Sequence, residues 1–310
     1  MYRNPIRNSR QVQLDAAVAG PLFMLSAALL FTLLNLLVKL LGPEYSVWHI
    51  GFYRFFGGWV LIWAIFGRQR NPFRGNDIRL LIIRGCTGSA AFIFAVTAIR
   101  MLPVSTALVI FYTFPAFAAI FSFLLYKERI GLWEMACVAL VLVGAGILFD
   151  FRLAGGLLGQ TMALVGGAFA GLTVTLIKTL RQKNGPVVIY FYFCTMGTLV
   201  TLPKFIQNPL LPSAPMAVTM ILGIVLASLT AQLLMNQGFF YCKGWEGGVL
   251  MSSEIIFTAM TGIIFLGDPT TVRFWIGGAL VFCSVVALNR MKAHSERIRR
   301  LSLDRAAGPP

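Results

Sequence analysis

The chain has 310 residues, of which 58% are hydrophobic and only 12% are charged, and its mean hydropathy is +0.79. A soluble domain carries about 25% charged residues, so this composition indicates a membrane protein and excludes a large water-soluble domain. The formal charge of +15 does not indicate nucleic-acid binding, because the basic residues lie in loops and tails between apolar segments. We therefore expect the lipid bilayer, and no nucleic acid, as a partner.

Apolar segments long enough to cross a membrane recur along the chain. A hydrocarbon core about 30 Å thick takes about 20 helical residues to cross. Segments of this length lie at residues 17–41, 46–67, 78–99, 104–126, 132–149, 157–177, 187–206, 215–240, 247–266 and 273–289. The first, at about 25 residues, is too long for a cleavable signal peptide, and we expect a retained helix. The sequence thus predicts an all-α integral membrane protein with ten transmembrane helices.

The distribution of lysine and arginine predicts the orientation. With a cytoplasmic N-terminus, 19 of the 26 basic residues fall on the inner side and five on the outer side, while Arg54 and Arg84 fall within spans. Basic residues are retained on the cytoplasmic side of a membrane. We therefore expect a multi-pass protein of the plasma (inner) membrane with both termini in the cytoplasm.

The layout of residues 105–148 returns about 140 residues later in the chain. In both copies an apolar helix is followed by an acidic residue, Glu128 or Asp268, and then by a second apolar helix. Ten helices in two copies give five per copy, and an odd number inverts the second copy relative to the first. Inverted repeats of this kind place a binding site near the membrane midplane. We expect an N-terminal arm at 1–16, repeats at 17–150 and 157–290, and a basic cytoplasmic tail at 291–310.

The two halves also carry a resemblance to a known family. An acidic residue closes the fourth helix of each half, in Tyr126-Lys127-Glu128-Arg129 and in Leu266-Gly267-Asp268-Pro269, and Tyr112-Thr113-Phe114-Pro115 lies within the first of these helices. This layout resembles the drug/metabolite transporter superfamily, EamA type, over about residues 17–290. It departs from the family pattern where Ile255 matches Pro115 and where Asp268 replaces glutamate. The resemblance implies helices around a central cavity, peripheral fifth and tenth helices, and small organic solutes such as amino acids, nucleosides or related metabolites.

Glu254 is the most informative polar residue within a span. It lies about seven residues into the ninth predicted helix, roughly 10 Å deep at about 1.5 Å per residue. A lone carboxylate at that depth must be protonated or paired. The sequence leaves two interpretations open: a proton-coupling or substrate-amine site, or a structural hydrogen bond between helices.

Three basic residues in or near spans raise a similar question. Arg54 lies about eight residues into the second helix, where it would hold a substrate carboxylate or neutralise Glu254. Arg84 and Lys39 are closer to the predicted ends of their helices. We expect both to extend to the membrane interface.

The eighth predicted helix carries a polar stripe. Ser228, Gln232 and Asn236 recur at every fourth residue, which places them on one helical face. Amides both donate and accept hydrogen bonds and suit a neutral or zwitterionic solute, so the stripe is a candidate cavity lining. The alternative is a set of hydrogen bonds that hold helices together.

The remaining candidates lie in the first, fourth and sixth helices. Asn35 is a candidate for the cavity, with packing as the alternative. In the fourth helix Tyr112 is a second cavity candidate, and Pro115 is a candidate gate hinge because it lacks an N–H and can kink the helix. Gly167 and Gly171 form a G-x-x-x-G pattern that is typical of close helix packing.

These patterns favour transport over catalysis. The chain has two histidines and five scattered cysteines and lacks metalloprotease, nucleophile-elbow and phosphate-loop motifs, so we expect no catalytic residues, no metal site and no cofactor. A channel or a non-transporting membrane receptor is the alternative function. The sequence predicts a secondary transporter of a small polar or zwitterionic metabolite, and it leaves open whether the chain forms a homodimer.

Overall fold

A computed structural model describes residues 5–68, 74–102, 107, 110–128, 131–148, 156–266, 272–273, 275–287 and 290–291. Within these ranges the regular secondary structure is helical, and the prediction of an all-α protein is confirmed. The helices are α1 Pro5–Leu40, α2 Val47–Phe66, α3 Ile78–Met101, α4 Phe114–Tyr126, α5 Leu132–Leu148, α6 Leu157–Leu180, α7 Pro186–Gln207, α8 Pro215–Tyr241, α9 Gly244–Met251, α10 Ser253–Leu266 and α11 Trp275–Ala287.

Each of the ten predicted spans coincides with helix in the described part of the chain. Six helices are long and apolar enough to cross a membrane: the Val18–Leu40 part of α1, and α2, α3, α6, α7 and α8. Shorter apolar helices, α4, α5 and α11, lie at the fourth, fifth and tenth spans, and α9 with α10 forms the ninth. The first helix begins at Pro5 rather than at the predicted residue 17, so most of the polar N-terminal arm is also helical.

Local sequence chemistry starts several of these helices. Ser46 caps α2: its Oγ accepts from the His49 backbone N–H at 3.4 Å, and its own N–H donates to His49 Nδ1 at 3.0 Å. Pro186 and Pro215 occupy the first positions of α7 and α8. Proline suits this position because the first N–H groups of a helix have no intrahelical partner.

The packing of the helices keeps the same pattern when the two halves are exchanged. The first span of each half packs against the third span of the other, as α1 does on α8 and α6 on α3. The second spans, α2 and α7, pack on each other. The last spans of the two halves, α5 and α11, also pack on each other. A Cβ on Gly144 of α5 would lie 2.9 Å from the Gly277 carbonyl oxygen of α11. Ser284 of α11 donates to the Cys137 carbonyl of α5 at 2.7 Å. The protein therefore consists of two five-span repeats that are inverted relative to each other.

Contacts between loops show which ends of the helices lie together. At one end, His49 Nε2 is 2.6 Å from the Asn208 carbonyl oxygen, and Arg100 donates to the Tyr45 carbonyl at 2.5 Å. At the other end, Asn76 in the loop before α3 and Asn184 in the loop between α6 and α7 are joined by two hydrogen bonds. These two groups of loops are separated by the length of the spans, as an alternating, antiparallel arrangement requires.

Candidate functional site

Two spans are interrupted near their middle. The ninth span consists of α9, which ends at Met251, a turn at Ser252, and α10, which begins at Ser253. In the fourth span, helix at Phe111 is followed by a turn at Tyr112 and Thr113 before α4 begins. At the repeat offset of about 140 residues, Tyr112 corresponds to Ser252, so the two halves are broken at equivalent positions.

Short hydroxyl side chains bond the carbonyl groups at both breaks. Ser252 Oγ donates to the Gly248 carbonyl at 3.1 Å, and Ser253 Oγ donates to the Leu250 carbonyl at 2.8 Å. In the fourth span Thr113 Oγ1 donates to the Ile110 carbonyl at 2.7 Å. An irregular backbone within a membrane requires such partners because lipid offers none. Where the sequence predicted a kink at Pro115, the structure interrupts the helix, and Pro115 lies in the first turn of α4.

The break in the fourth span packs closely on α6. A Cβ on Gly167 would lie 2.9 Å from the Phe111 carbonyl oxygen, and one on Gly171 would lie 2.7 Å from the Ala118 nitrogen. These are backbone atoms, which cannot move aside as the end of a side chain can. The G-x-x-x-G pattern therefore has the close-packing function that the sequence predicted.

Glu254 lies at the break of the ninth span. It is in the first turn of α10, it is half-buried, and its Oε1 accepts a 2.8 Å hydrogen bond from Asn35 Nδ2 of α1. Tyr112, 2% exposed, interacts with Glu254 and with Thr258. The N-terminus of a helix favours a carboxylate because the unpaired N–H groups carry partial positive charge. Three candidates from the sequence, Asn35, Tyr112 and Glu254, thus meet at one place.

Asn35, Tyr112 and Glu254 form one side of what we call the polar centre, and Arg54 is buried on its other side. It is 5% exposed, its Nε donates to Ser228 Oγ at 2.8 Å, and its guanidinium carbon lies 4.3 Å from the centre of the Phe92 ring. Arg54 makes this hydrogen bond to Ser228 rather than to Glu254, although the two charges are close enough to attract each other. Arg54 therefore belongs to the same polar centre without forming a direct ion pair with Glu254.

The prediction that Arg84 extends to the membrane interface is wrong. Arg84 is fully buried, and its Nη2 donates to Gln232 Oε1 at 2.9 Å. Its position near the start of α3 suggested an interfacial side chain, but α3 packs on α6 and α7, and Arg84 is enclosed between helices. Small residues follow it at Gly85, Gly88 and Ser89, which was the signal in the sequence for a buried face. Lys39 is exposed.

Each residue of the polar stripe of α8 accepts a hydrogen bond from an arginine in another part of the fold. Ser228 accepts from Arg54, Gln232 accepts from Arg84, and the Asn236 carbonyl accepts from Arg181 Nε at 2.8 Å. All three stripe residues are buried. Ser228 and Gln232 belong to the polar centre, whereas Asn236 lies one turn further on and donates to the Pro186 carbonyl at 3.3 Å.

Aromatic and sulfur-containing side chains that the sequence analysis did not select complete the centre. Phe193, Tyr190 and Cys194 of α7 are buried, and the Tyr190 and Cys194 side chains interact with Arg54. Within the described ranges there is no group of three or more His, Cys, Asp or Glu residues placed to hold a metal ion. An open groove of about 540 Å³, lined by residues 75–80 and 83, lies at the end of the bundle and contains none of the residues of the polar centre. The buried polar side chains, rather than this groove, define the site.

A bundle of lipid-facing helices, with two spans interrupted beside a buried polar centre, is typical of membrane transporters. The model of the EamA-like transporter family matches residues 18–149 and again residues 157–290, and the chain belongs to this family.

Named relatives agree with this assignment. The chain is 25% identical over 280 residues to the pseudopaline exporter CntI of Pseudomonas aeruginosa, covering 90% of this chain and 99% of that protein. It is 24% identical over 287 residues to human solute carrier family 35 member G1, covering 87% of this chain and 77% of that protein. A solved crystal structure superposes with a TM-score of 0.75 at 17% identity, over 89% of this chain and 98% of that one, and shows the same fold. The protein is a multi-pass membrane transporter, and the named relatives are transporters rather than enzymes.

Proposed function

We propose that the protein is a secondary transporter that carries a small polar or zwitterionic organic metabolite by alternating access. An amino acid, a nucleoside or a related compound fits this class. The observation that carries the proposal is the buried polar centre beside two equivalent helix breaks. Backbone that departs from helix within a membrane is found where it is buried in protein or where it lines a cavity or a substrate site. The names of the two relatives, an exporter and a solute carrier, support transport of a solute.

We assign substrate contact to the polar side chains around the breaks. Asn35, Tyr112 and Glu254 form one side of the centre, and Arg54, Ser228 and Gln232 form the other. Asn236 extends the second side toward the end of the bundle. Gly248 of α9 packs against Pro115 of α4, where a Cβ on the glycine would lie 3.4 Å from Pro115 Cα, so the two broken spans are in contact. Pro115 is accordingly our candidate hinge.

Glu254 is our candidate for proton coupling. It is the one carboxylate that the described residues place in the polar centre, and it has both a hydrogen-bond donor in Asn35 and an attracting charge in Arg54. A carboxylate between a helix break and a buried arginine can take up or release a proton as the site opens to one side or the other.

The topology that we propose places both termini in the cytoplasm of a cell whose inner membrane holds the protein. The excess of lysine and arginine in the loops on that side supports it. We also propose that the chain divides between α5 and α6 into the repeats 17–150 and 157–290.

Transport by the purified protein in proteoliposomes tests the function. A thermal-shift screen against a metabolite library identifies a ligand, because a ligand that binds only the folded state raises its stability. Exchange of that labelled ligand across the liposome membrane then measures transport. Glu254→Gln is expected to abolish the pH dependence of uptake, while Glu44→Gln, in the exposed loop after α1, is the matched control. A Glu254→Gln variant with unchanged uptake and unchanged pH dependence would exclude Glu254 as the coupling residue.

A further inference from the structure

We infer that Arg54 and Arg84 form a subsite for a carboxylate group of the transported metabolite. This inference rests on the proposed function and deepens it by naming the chemical class of the cargo, an organic acid or an amino acid. The subsite lies between α2, α3, α7 and α8, on the side of the polar centre opposite Asn35 and Glu254.

The two arginines converge on one aromatic ring. The guanidinium carbon of Arg84 lies 4.4 Å from the centre of the Phe193 ring, and that of Arg54 lies 5.9 Å from it. Phe92 covers Arg54 from another direction. Aromatic faces attract a guanidinium group without using its N–H donors, so both arginines are held in place with donors left for other partners.

Arg84 leaves most of its donors without partners among the residues that the structure describes. Nη2 bonds to Gln232, whereas Nε and Nη1 are buried and have no hydrogen-bond partner among the described residues. An unpaired buried donor on a charged group is costly, so a fully structural arginine uses its donors within the protein. Arg181 shows that pattern in the same chain: its Nε, Nη1 and Nη2 each donate, to the Asn236 carbonyl, the Asn184 carbonyl and the Gln237 side chain.

The charges of the centre select an anion. Arg54 and Arg84 contribute two guanidinium groups, so the centre keeps a net positive charge even when the facing carboxyl group, Glu254, is ionised. The other titratable side chains that face the arginines, Tyr190 and Cys194, are neutral in their ordinary protonation states. One carboxylate would balance the remaining positive charge, and guanidinium groups form strong charge-assisted hydrogen bonds to carboxylates.

The opposite side of the centre fits the remainder of such a molecule. Glu254 and the hydroxyl of Tyr112 offer acceptors for the ammonium group of an amino acid. The shared requirement is the carboxylate, and the choice between an organic acid and an amino acid is made by the group that meets Glu254.

Thermal stability of the full chain in detergent micelles tests the subsite with four probes: glutarate, L-glutamate, uncharged glutaramide and inorganic sulfate. We expect glutarate or L-glutamate to raise Tm by several degrees, and glutaramide to have no effect. The rise should disappear in Arg84→Gln and persist in Arg79→Gln, which alters an exposed arginine of the same helix. A rise with sulfate alone, no rise with either carboxylate, or a full rise in Arg84→Gln would overturn the inference.

Gln232→Glu provides a second test that does not depend on the folding of an arginine variant. The new carboxylate would lie where Gln232 Oε1 now accepts from Arg84, and it would act as an internal substitute for the ligand. We expect a higher Tm without any probe and at least a tenfold weaker response to the carboxylates. A lower Tm together with an unchanged response would overturn the subsite.

The flux assay separates this inference from the proposed function. If proteoliposomes carry a solute that lacks a carboxylate, at the same rate in Arg84→Gln as in the unaltered protein, the transporter proposal stands and the subsite fails. If the carboxylates bind in an Arg84-dependent manner but no solute of the library is carried, the subsite stands and the transporter proposal fails.

Discussion

Asn35 Nδ2 donates a 2.8 Å hydrogen bond to Glu254 Oε1, and this bond joins the first span of the N-terminal repeat to the break in the ninth span. The two residues are 219 positions apart in the sequence. At the repeat offset Glu254 corresponds to Phe114 and Arg54 corresponds to Cys194, so neither charged residue has a charged counterpart in the other half. The repeats thus share a scaffold, while the charges that distinguish the site belong to one copy each.

Removal of the Asn35 amide should weaken the fold through this bond. We expect Asn35→Ala to lower the free energy of unfolding by roughly 1–3 kcal/mol, because the change leaves Glu254 Oε1 without its donor. In a Glu254→Ala background the same change should have a smaller effect, since the partner is already missing. Denaturant titration in micelles measures all four variants of the cycle. Effects that simply add would show that the bond does not couple the two residues.

Gly171 should not accept a side chain. In Gly171→Ala the new Cβ would lie 2.7 Å from the Ala118 nitrogen and 2.8 Å from the Phe114 carbonyl oxygen, which are backbone atoms of α4. We expect a loss of roughly 1–3 kcal/mol, the usual cost of overpacking. Gly185→Ala is the matched control, because a Cβ there meets no atom within 4 Å. Equal stability of the two variants would contradict the close packing of α4 on α6.

Pro115→Ala should separate binding from movement. The variant regains an N–H that can bond to the carbonyl of Phe111, the residue four positions earlier, and so favours a continuous fourth helix. We expect ligand affinity to change little and the exchange rate in proteoliposomes to fall severalfold. Pro203, inside α7 and exposed, supplies a control proline whose replacement by alanine should leave the rate unchanged. A Pro115→Ala variant with a normal exchange rate would remove the hinge assignment.

Labelling of introduced cysteines should place the two ends of α6 in different compartments. Gly156 and Gly185 flank α6, and a Cβ at either position meets no atom within 4 Å, so cysteine is expected to be tolerated at both. On a background without the five native cysteines, an impermeant thiol reagent applied outside the cell should label Gly156→Cys and spare Gly185→Cys. The reverse result would invert the proposed topology, and labelling of both would contradict the antiparallel arrangement.

Two contacts between the loop before α3 and the loop between α6 and α7 should differ in strength. Lys183 Nζ and Asp77 Oδ2 form a 2.9 Å ion pair, but both side chains are at least half exposed, and such pairs contribute about 0–1 kcal/mol. Asn184 is buried, and it accepts from the Asn76 N–H at 2.7 Å and donates to the Asn76 carbonyl at 3.0 Å. We therefore expect Asn184→Ala to lower Tm by more than Lys183→Gln. The opposite order would show that the ion pair dominates this contact.

The positions of the helices could be predicted because they follow from local composition. Lipid provides no hydrogen-bond partners, so each span must be an apolar helix of sufficient length, and this requirement is visible in the residues themselves. The period of the polar stripe likewise placed Ser228 and Gln232 on one face before their partners were known. The repeat offset pairs Tyr112 with Ser252 in the sequence, but it does not predict that the helix is broken at both positions. Only the fourth span has a proline near its break, so the ninth span gives no local signal of an interruption.

The partners of the charged residues depended on the tertiary structure. Arg84 and Lys39 have the same appearance in the sequence, each a basic residue near the end of an apolar segment, yet one is enclosed by α6 and α7 and the other is exposed. The sequence determined the length of the spans, their hydropathy and the inverted repeat. These properties follow from neighbouring residues or from a comparison of one half of the chain with the other. Which arginine meets which amide, and which donors remain for a substrate, is set by the contact of helices that lie far apart in the chain, and only the folded protein decides it.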